Sequence, residues 1–422
     1  MDIVGPFNPA TGEIWGYGAS FLAKWVDANP GSGIVGAYPT ALAFTHPQQE
    51  IVNAIAEAGL TPDHADLSQL WAAIQSSRII DTAVTKTVFG VDPDFSSVED
   101  ALEWVSYYRI ALGGSVTFQS PAGQYAINLL SFDHPDASRI FFEGAALTGG
   151  GWPAASAWAC TGYGSTERAA DLASNLVIAR ARIPTEFILS GSDFWHQRSP
   201  VTFKRLLISG DSHTGTLLLT QGTMAFAEDV VVAGAGERCV AVGAGGSLVA
   251  TRMGAFGGDN YAIEVAEGGN LLGQGDVVAL SAGDVALNVW RNSHARISSG
   301  NKLRVGGAAN HGMFVGSSSA VFGSTGTASA ERCGVHGFYT QGSGSNIDVA
   351  GAVASNLGDT GFVATHNSYI SAPASSGGTN GGYGYAAYDG GRIQRSGGTC
   401  TGSTGSVSPT LTTDGNRGAM IT

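Results

Sequence analysis

Three acidic residues of this sequence recur at intervals that can bring them together in space. Glu237, Asp259 and Asp284 each lie a few residues before an apolar position of a repeat of roughly 24 residues. Hydrolysis of a glycosidic bond requires two carboxylates about 5 to 10 Å apart, and equivalent positions on stacked strands are about 4.8 Å apart. The spacing therefore permits a glycosidase pair, with Glu228 and Asp229 as a second candidate. Solvated acids in surface loops are the alternative.

Aromatic residues form a second candidate site. Trp290, Phe314 and Tyr339 each directly follow a recurring apolar position, and Tyr369 and Tyr388 lie nearby in the repeat. If the apolar residue points inward, the next residue points outward on consecutive strands. Such a ladder could stack on sugar rings or bury itself against a neighbouring subunit. A register error of one residue would place it in the core instead.

Histidines and cysteines indicate no metal or cofactor site. His311, His336 and His366 recur near the starts of repeats, but their spacings of 25 and 30 residues do not share one register. No phosphate-binding loop, dinucleotide fingerprint or nucleophile elbow is present, so we expect neither a metal nor a cofactor. Four cysteines lie far apart and are expected to be buried free thiols: Cys160, Cys239, Cys333 and Cys400.

A repeat of two strands runs through the second half of the chain. Its first apolar positions are 22 to 26 residues apart: Leu218, Val240, Ile263, Val289, Met313, Phe338, Phe362 and Tyr385. Its second apolar positions follow about eight residues later: Phe226, Leu248, Leu271, Ile297, Val321, Ile347, Ile370 and Ile393. Residues 230–232, 277–280 and 303–305 indicate a third short strand. A period of this length predicts a mainly β, right-handed parallel β-helix.

The composition agrees with a folded chain rich in turns. Glycine contributes 62 of 422 residues, only 13% of the residues are charged, and the net charge is −13. The chain is 43% hydrophobic, which argues against disorder, and its glycines lack the three-residue period of collagen. An acidic chain with few lysines is not expected to bind nucleic acid. No secretory signal and no long apolar run are visible, so we expect neither export nor membrane insertion.

The first part of the chain differs from the repeat. Residues 1–105 carry 13 of the acids and three of the bases, whereas residues 106–422 are nearly neutral. Apolar spacing predicts one short helix around Ile51 and Ile55 and another around Leu67 and Trp71.

A third helix is predicted after the head. Ser97 and Asp100 have the spacing of a capping box, and this helix should run to about Tyr108. We divide the chain into a head (1–86), a helix-capped start of the β-helix (87–200) and a repetitive β-helix shaft with the distal binding region (201–422).

Eight short segments of the first half carry a resemblance to a known family: residues 48–55, 58–62, 66–70, 108–111, 134–136, 139–140, 170–176 and 184–186. These segments resemble bacteriophage tail fibre and tailspike proteins. The resemblance implies a pectin-lyase-like β-helix that forms a parallel homotrimer and attaches through its N-terminal region to phage tail or baseplate proteins. It places six residues in that attachment region: Trp15, Trp25, Ile51, Ile55, Leu67 and Trp71.

The same resemblance implies a function. The protein would be a structural component of the virion tail, made in the host cytoplasm, that binds a host cell-surface glycan or receptor toward its C-terminal part. A tailspike depolymerase, a glycosidase acting on host polysaccharide, is the alternative on the same fold. An exported adhesin is a third class, against which the absence of a visible signal sequence argues. We favour receptor binding over catalysis for this fold, because the last forty residues hold only two acids, Asp389 and Asp414.

Overall fold

The computed structural model describes residues 49–56, 60–63, 66, 68–77, 79–127, 130–189, 195–197, 200–210, 216–234, 236–323, 328–408 and 420–422. The chain divides into two compact units, Met1–Ile79 with Tyr107–Arg109 and Ile80–Ser106 with Ile110–Thr422. None of the described helices is long and apolar enough to cross a membrane.

The first unit contains the two short helices predicted for the head. Helix α1 covers residues 49–56 and α2 covers Gln69–Ser77. Ile55 is buried, whereas Ile51 is 40% exposed and Trp71 is 63% exposed. The remaining residues predicted for attachment lie outside the described part of the chain: Trp15, Trp25 and Leu67. The attachment role stays a prediction.

The second unit is a parallel β-solenoid of about 11 turns at roughly 24 residues a turn, which confirms the predicted fold class. Each complete turn adds one strand to each of three faces, and successive turns pair in parallel. The predicted third strand is therefore confirmed. The first solenoid strand already begins at Ala83, inside the segment assigned to the head.

The strands are numbered in chain order. Face 1 consists of β2 (Ala83–Thr87), β4 (Ser115–Gln119), β7 (Ile140–Glu143), the first halves of β10 (Val201–Gly210), β12 (Met224–Gly234) and β14 (Ser247–Gly257), and then β16 (Asn270–Gly273), β19 (His294–Ile297), β22 (Ala320–Gly323), β25 (Asn346–Val349), β28 (Tyr369–Ser371), β30 (Arg392–Gln394) and β32 (Met420–Ile421). Face 2 consists of β5 (Gly123–Ile127), β8 (Thr185–Leu189), the second halves of β10, β12 and β14, and then β17 (Val277–Leu280), β20 (Leu303–Gly306), β23 (Ala328–Glu331) and β26 (Val353–Ser355). Face 3 consists of β6 (Leu130–Phe132), β9 (Trp195–Gln197), β11 (Thr216–Gln221), β13 (Arg238–Gly243), β15 (Tyr261–Val265), β18 (Val285–Val289), β21 (His311–Gly316), β24 (Phe338–Gln341), β27 (Phe362–Thr365), β29 (Tyr383–Ala387) and β31 (Gly405–Ser408). The strands β1 (Ile79–Ile80) and β3 (Arg109–Ile110) are two residues long.

Faces 1 and 2 meet at a corner that is crossed without a break by β10, β12 and β14. The bend lies at Arg205, Asp229 and Arg252, whose φ angles are 51°, 57° and 70°. These left-handed conformations turn the strand sharply at one residue. Asp229 is buried, and its carboxylate accepts hydrogen bonds from Arg252 Nε at 2.5 Å and Nη2 at 2.8 Å. The ion pair offsets part of the cost of the strained corner.

Apolar columns fill the interior of the solenoid. We call residues that pair across successive turns a column. The inward column of face 3 is fully buried and comprises Val240, Ile263, Leu287, Met313, Phe338, Phe362 and Tyr385. Its last three rings stack, with centroids 4.9 Å apart for Phe338 and Phe362 and 5.2 Å apart for Phe362 and Tyr385.

Three of the predicted repeat positions are wrong by one or two residues. The prediction named Val289 instead of Leu287, Phe226 instead of Ala225, and Ile297 instead of Ala295. A shift of two residues leaves the side chain on the same side of a strand, so Val289 is also buried. A shift of one residue reverses it, and Phe226 accordingly lies half-buried on the outer side of face 1.

Face 2 is covered on its outer side by an insertion between β7 and β8. This insertion contains helix α4 (Ser165–Arg182) and one short 3₁₀ helix, Ala155–Ala157. A second 3₁₀ helix, Ala137–Arg139, lies outside the insertion, just before β7. Trp158 and Ile183 of the insertion are buried against Val231, Phe256 and other apolar side chains of face 2. Because face 2 has apolar neighbours on both sides, its strands are continuous apolar runs rather than alternating ones.

Helix α3 (Val98–Ser106) lies near the first turns, as predicted. Ser97 Oγ accepts a hydrogen bond from the Asp100 amide at 3.0 Å, which caps the helix. Trp104 of α3 packs against Phe118 with ring centroids 6.3 Å apart. Phe118 in turn begins an inward ring ladder, with Phe142 at 5.4 Å. The helix therefore covers the beginning of the solenoid core.

Candidate functional site

The outer surface of face 3 collects many of the residues singled out in the sequence. We define the face 3 surface by three outward columns. The first, just before the strands, is Glu237, Asn260, Asp284, Asn310, Val335 and Asp359. The second is Arg238, Tyr261, Val285 and His311, on which His336 stacks. The third is Ala241, Glu264, Asn288, Phe314, Tyr339 and Val363.

Two of the three predicted carboxylates share a column. Asn260 separates Glu237 from Asp284, and backbone hydrogen bonds of 3.0 and 2.9 Å connect the three residues in order. At about 4.8 Å a turn, the two acidic positions are about 10 Å apart. The Asn310 amide donates to Asp284 Oδ1 at 2.6 Å, and Asn260 donates to Glu237 Oε1 at 3.4 Å. The column thus alternates carboxylate and amide groups.

Asp259 lies in the neighbouring column, which forms a tight corner before face 3. One turn later, the same column contains Gly283. A Cβ added to Gly283 would lie 1.8 Å from the Asp259 carbonyl oxygen. Only glycine fits such a close backbone approach. Asp259 is exposed and belongs to a different register from Glu237 and Asp284. The three acids that were predicted to cluster along one corner thus occupy two adjacent columns before face 3, and only Glu237 and Asp284 share one.

The second predicted acidic pair lies elsewhere, at the corner of faces 1 and 2. Glu228 Oε2 is 3.2 Å from Lys204 Nζ, and both side chains are partly exposed. Asp229 is held by Arg252 in the bidentate pair described above. A buried carboxylate with both oxygens bound by one guanidinium is suited to stabilising the bend.

Glu264 is the residue of this surface that the sequence analysis missed. It is only 4% exposed, and its Oε1 accepts hydrogen bonds from Trp290 Nε1 at 3.0 Å and Asn288 Nδ2 at 3.4 Å. Its Oε2 is 2.9 Å from Arg238 Nε. Burial raises the pKa of Glu264, while the Arg238 charge and the Trp290 hydrogen bond act in the opposite direction. Burial also raises the pKa of nearby Tyr261, helped by the Asp284 charge.

Four half-buried rings form an aromatic cluster on two consecutive turns. His311 and His336 stack with centroids 5.1 Å apart, and Phe314 and Tyr339 are 5.4 Å apart. Tyr339 also lies 4.8 Å from His311 and 5.4 Å from His336. The predicted outward alignment of Phe314 with Tyr339 is confirmed. The contribution of the two histidines was not predicted, although each lies two residues before an inward position of the repeat, Met313 or Phe338. The signal was obscured by His366, which does not share their register.

Trp290 does not belong to the column of Phe314, which corrects the predicted three-ring ladder. The position equivalent to Phe314 one turn earlier is Asn288. Trp290 lies two residues further on, where it packs under the Arg291 guanidinium at 3.8 Å from the ring centroid. The backbone hydrogen bonds of Trp290 and Tyr388 to the preceding turns place both rings in one column at the far edge of face 3.

Tyr369 lies on a different surface. It begins β28 on face 1, where its hydroxyl donates to Gln394 Oε1 at 2.6 Å. The prediction that it joins the aromatic ladder is therefore wrong. Its neighbours across face 1 are Asn346 and Arg392.

The two stacked histidines are in an environment that keeps them uncharged. Burial lowers the pKa of His311 to about 4, with a further contribution from His336, and burial lowers the pKa of His336 to about 4. Within the described residues the Nδ1 atoms of both rings are buried and have no hydrogen-bond partner. Near neutral pH these rings can therefore contribute a flat apolar surface and one neutral hydrogen-bonding nitrogen each.

The described residues contain no cluster of side chains suited to binding a metal, and their cysteine thiols are buried. Among the described residues no set of three or more His, Cys, Asp or Glu side chains could hold a metal ion. The four cysteines are buried free thiols, as predicted. Burial raises the pKa of Cys160 and Cys239 to about 12 and that of Cys400 to about 11, and it also raises the pKa of Cys333. Such thiols are poor nucleophiles at neutral pH.

Comparisons with known proteins add information on the fold. No protein-family model matches the sequence, and no curated protein matches it. Two solved structures are similar, both A-modules of mannuronan C-5 epimerases from Azotobacter vinelandii. The AlgE4 A-module has 11% identity and a TM-score of 0.36, covering 73% of this chain and 91% of that chain. The AlgE6 A-module has 12% identity and a TM-score of 0.36, covering 84% of this chain and 95% of that chain.

Proposed function

We propose that the protein binds a polysaccharide along the face 3 surface without cleaving it. The observation that carries this proposal is the arrangement of aromatic, amide and carboxylate side chains in outward columns over consecutive turns. Sugar rings have apolar faces and hydroxyl-bearing edges, so they pair with half-buried rings flanked by hydrogen-bonding groups. The cluster of His311, Phe314, His336 and Tyr339 provides the rings. Asn260, Asn310 and their carboxylate neighbours provide the hydrogen bonds.

The repeat supports an extended ligand rather than a single sugar. Each turn presents its outward residues at the same position, about 4.8 Å further along the solenoid. A glycan chain lying along this direction can therefore contact outward residues of several successive turns, with the rings on two of them. Binding energy would then be spread over several weak subsites, as expected when avidity adds small contributions.

Binding is best tested by substitution on face 3 with a matched control on face 1. Tyr339→Ala and Phe314→Ala should weaken binding to the best ligand of a polysaccharide panel at least tenfold, or about 1.4 kcal/mol. Phe322, 40% exposed on face 1, is the control, and Phe322→Ala should bind as the parent protein does. Isothermal titration calorimetry measures the affinities. A loss in Phe322→Ala with none in Tyr339→Ala would overturn the proposal, as would failure of every polysaccharide to bind.

Hydrolysis by a Glu237–Asp284 pair is the second candidate. Their separation of about 10 Å is at the upper limit for an inverting glycosidase. Arg238 Nη2 donates to Glu237 at 3.0 Å, and Asn310 donates to Asp284, so both carboxylates already have strong partners. We therefore propose binding without cleavage. Release of reducing ends from a bound polysaccharide that is abolished by both Glu237→Gln and Asp284→Asn would favour the enzyme instead.

The biological setting that we propose follows from the sequence resemblance. It is a homotrimeric fibre of a phage tail, attached through the N-terminal unit and bound to a host cell-surface glycan. What supports this setting is the similarity of the quoted segments to tail fibre proteins. A trimeric mass in solution would agree with it, and a stable monomer at micromolar concentration would contradict it.

A further inference from the structure

The charges of the face 3 surface and its bordering turns are mostly negative. Within the described turns this region carries seven carboxylates: Glu237, Asp259, Glu264, Glu267, Asp284, Asp359 and Asp389. Two guanidinium groups, those of Arg238 and Arg291, belong to the face 3 side, whereas Arg332 in the turn before β24 donates to the Cys160 carbonyl oxygen of the insertion. Any ligand that lies along the surface therefore meets a negative field.

Both guanidinium groups are already bound to carboxylates of the protein. Arg238 is 3.0 Å from Glu237 and 2.9 Å from Glu264, and Arg291 is 2.9 Å from Glu267. An incoming acidic sugar would have to displace one of these contacts to gain a cationic partner. Displacing the Arg238 contact would leave the buried Glu264 carboxylate without its counter-charge, which is costly.

The histidines do not supply the missing positive charge. His311 and His336 are neutral at physiological pH because burial disfavours their protonated forms. His366 at the edge of the face has its own acidic neighbour, with Nε2 at 3.8 Å from Asp389. The surface therefore offers an acidic sugar no strong electrostatic gain among these groups.

Neutral hydrogen-bonding groups occupy the positions between the acids. Asn260 and Asn310 alternate with carboxylates in the first column, and Gln341 lies two residues after Tyr339 at the end of β24. Amides both donate and accept, and carboxylates accept from sugar hydroxyls. These groups match the hydroxyl-rich edge of an uncharged pyranose.

We propose that the face 3 surface selects uncharged polysaccharides and excludes polymers of sugar acids. This inference rests on the proposed function and names the class of ligand. The discrimination comes from like-charge repulsion against the acid, and not from extra contacts with the neutral chain. It should therefore be strong at low salt and weak at high salt.

The test uses pairs of oligosaccharides that differ only at C6. Hexasaccharides of β-1,4-mannan and β-1,4-mannuronan, and of β-1,4-glucan and β-1,4-glucuronan, are titrated against the full chain. In any pair that binds, the neutral member should bind at least about tenfold more tightly near 0.01 M salt. The ratio should approach one near 1 M salt, because the Debye length falls from about 30 Å to about 3 Å.

A charge variant and a matched control make the test specific to face 3. The preference for the neutral oligosaccharide is the ratio of its affinity to that of its acidic counterpart. Asp259→Asn combined with Asp389→Asn should reduce this ratio at least about twofold. Asp348→Asn, an acid of face 1, should leave the ratio unchanged. Equal or tighter binding of the acidic members, or an unchanged ratio in the double variant, would overturn the inference while leaving glycan binding intact. Failure of every hexasaccharide to bind would instead count against the proposed function.

Discussion

His311 and His336 stack on consecutive turns of the solenoid, with ring centroids 5.1 Å apart and ring planes 11° apart. Protonating either ring would place a charge in a half-buried site, and protonating both would place two positive charges face to face. Asp284 near His311 and Asp359, whose Oδ2 is 3.7 Å from His336 Nδ1, offset this cost only in part. The pair therefore links the stability of the face 3 surface to pH.

Stability should fall as the pH is lowered through the acidic range. The pKa of both histidines drops from 6.5 to about 4 on folding. Between these values the unfolded chain binds protons that the folded chain does not, so stability decreases from about pH 6.5 down to about pH 4 and then levels off for these two groups. The contribution to the free energy of unfolding is about 3 kcal/mol for each ring. Urea unfolding at several pH values measures it.

Substituting the pair isolates its share of the acid sensitivity. His311→Gln combined with His336→Gln should flatten the dependence of stability on pH between about 6.5 and about 4. His294→Gln, an exposed histidine at the start of β19, is the matched control and should leave the profile unchanged. An unchanged profile in the double variant would contradict the assignment.

The insertion that covers face 2 should be necessary for the stability of the solenoid. Trp158 is 1% exposed, and its ring centroid lies 4.6 Å from that of Phe256 and 5.8 Å from that of Trp152. Trp158→Ala removes a large buried side chain and should cost about 3 to 5 kcal/mol. Val177→Ala, at a 67% exposed position on α4, should change stability by less than about 0.5 kcal/mol. Similar melting temperatures for the two variants would mean that the insertion does not stabilise the solenoid.

The periodic part of this architecture can be predicted from the sequence, and the register within it only in part. Alternation along a strand distinguishes inward from outward positions but not residues two apart, which is why Val289 was taken for Leu287. The same error of two residues led to the prediction that Trp290 lies in the column of Phe314. Pairing of whole strands resolves it, because Asn288 and not Trp290 lies opposite Phe314.

Two non-periodic features, helix α4 and the buried Glu264, were not predicted, for different physical reasons. Helix α4 begins after Gly164, which provides no side-chain cap, so the usual sequence signal for a helix start is missing. Glu264 depends on partners one turn before and one turn after it, Arg238 and Trp290. A short stretch of sequence around Glu264 therefore contains neither Arg238 nor Trp290.

Glu264 should stabilise the face 3 surface more than an exposed acid on the same turn does. Glu264→Gln keeps the size of the side chain but replaces one accepting oxygen by a donor, which then faces either Trp290 Nε1 or Arg238 Nε. A buried donor without an acceptor costs about 1 to 3 kcal/mol. Glu267→Gln is the matched control, because its pair with Arg291 is more than half exposed on both sides and should be worth less than about 1 kcal/mol.

In a double-mutant cycle with Trp290→Phe, measured by chemical unfolding, Glu264→Gln should show a coupling energy of at least about 0.5 kcal/mol. Equal losses for Glu264→Gln and Glu267→Gln, together with no coupling to Trp290, would show that the buried carboxylate does not organise this surface.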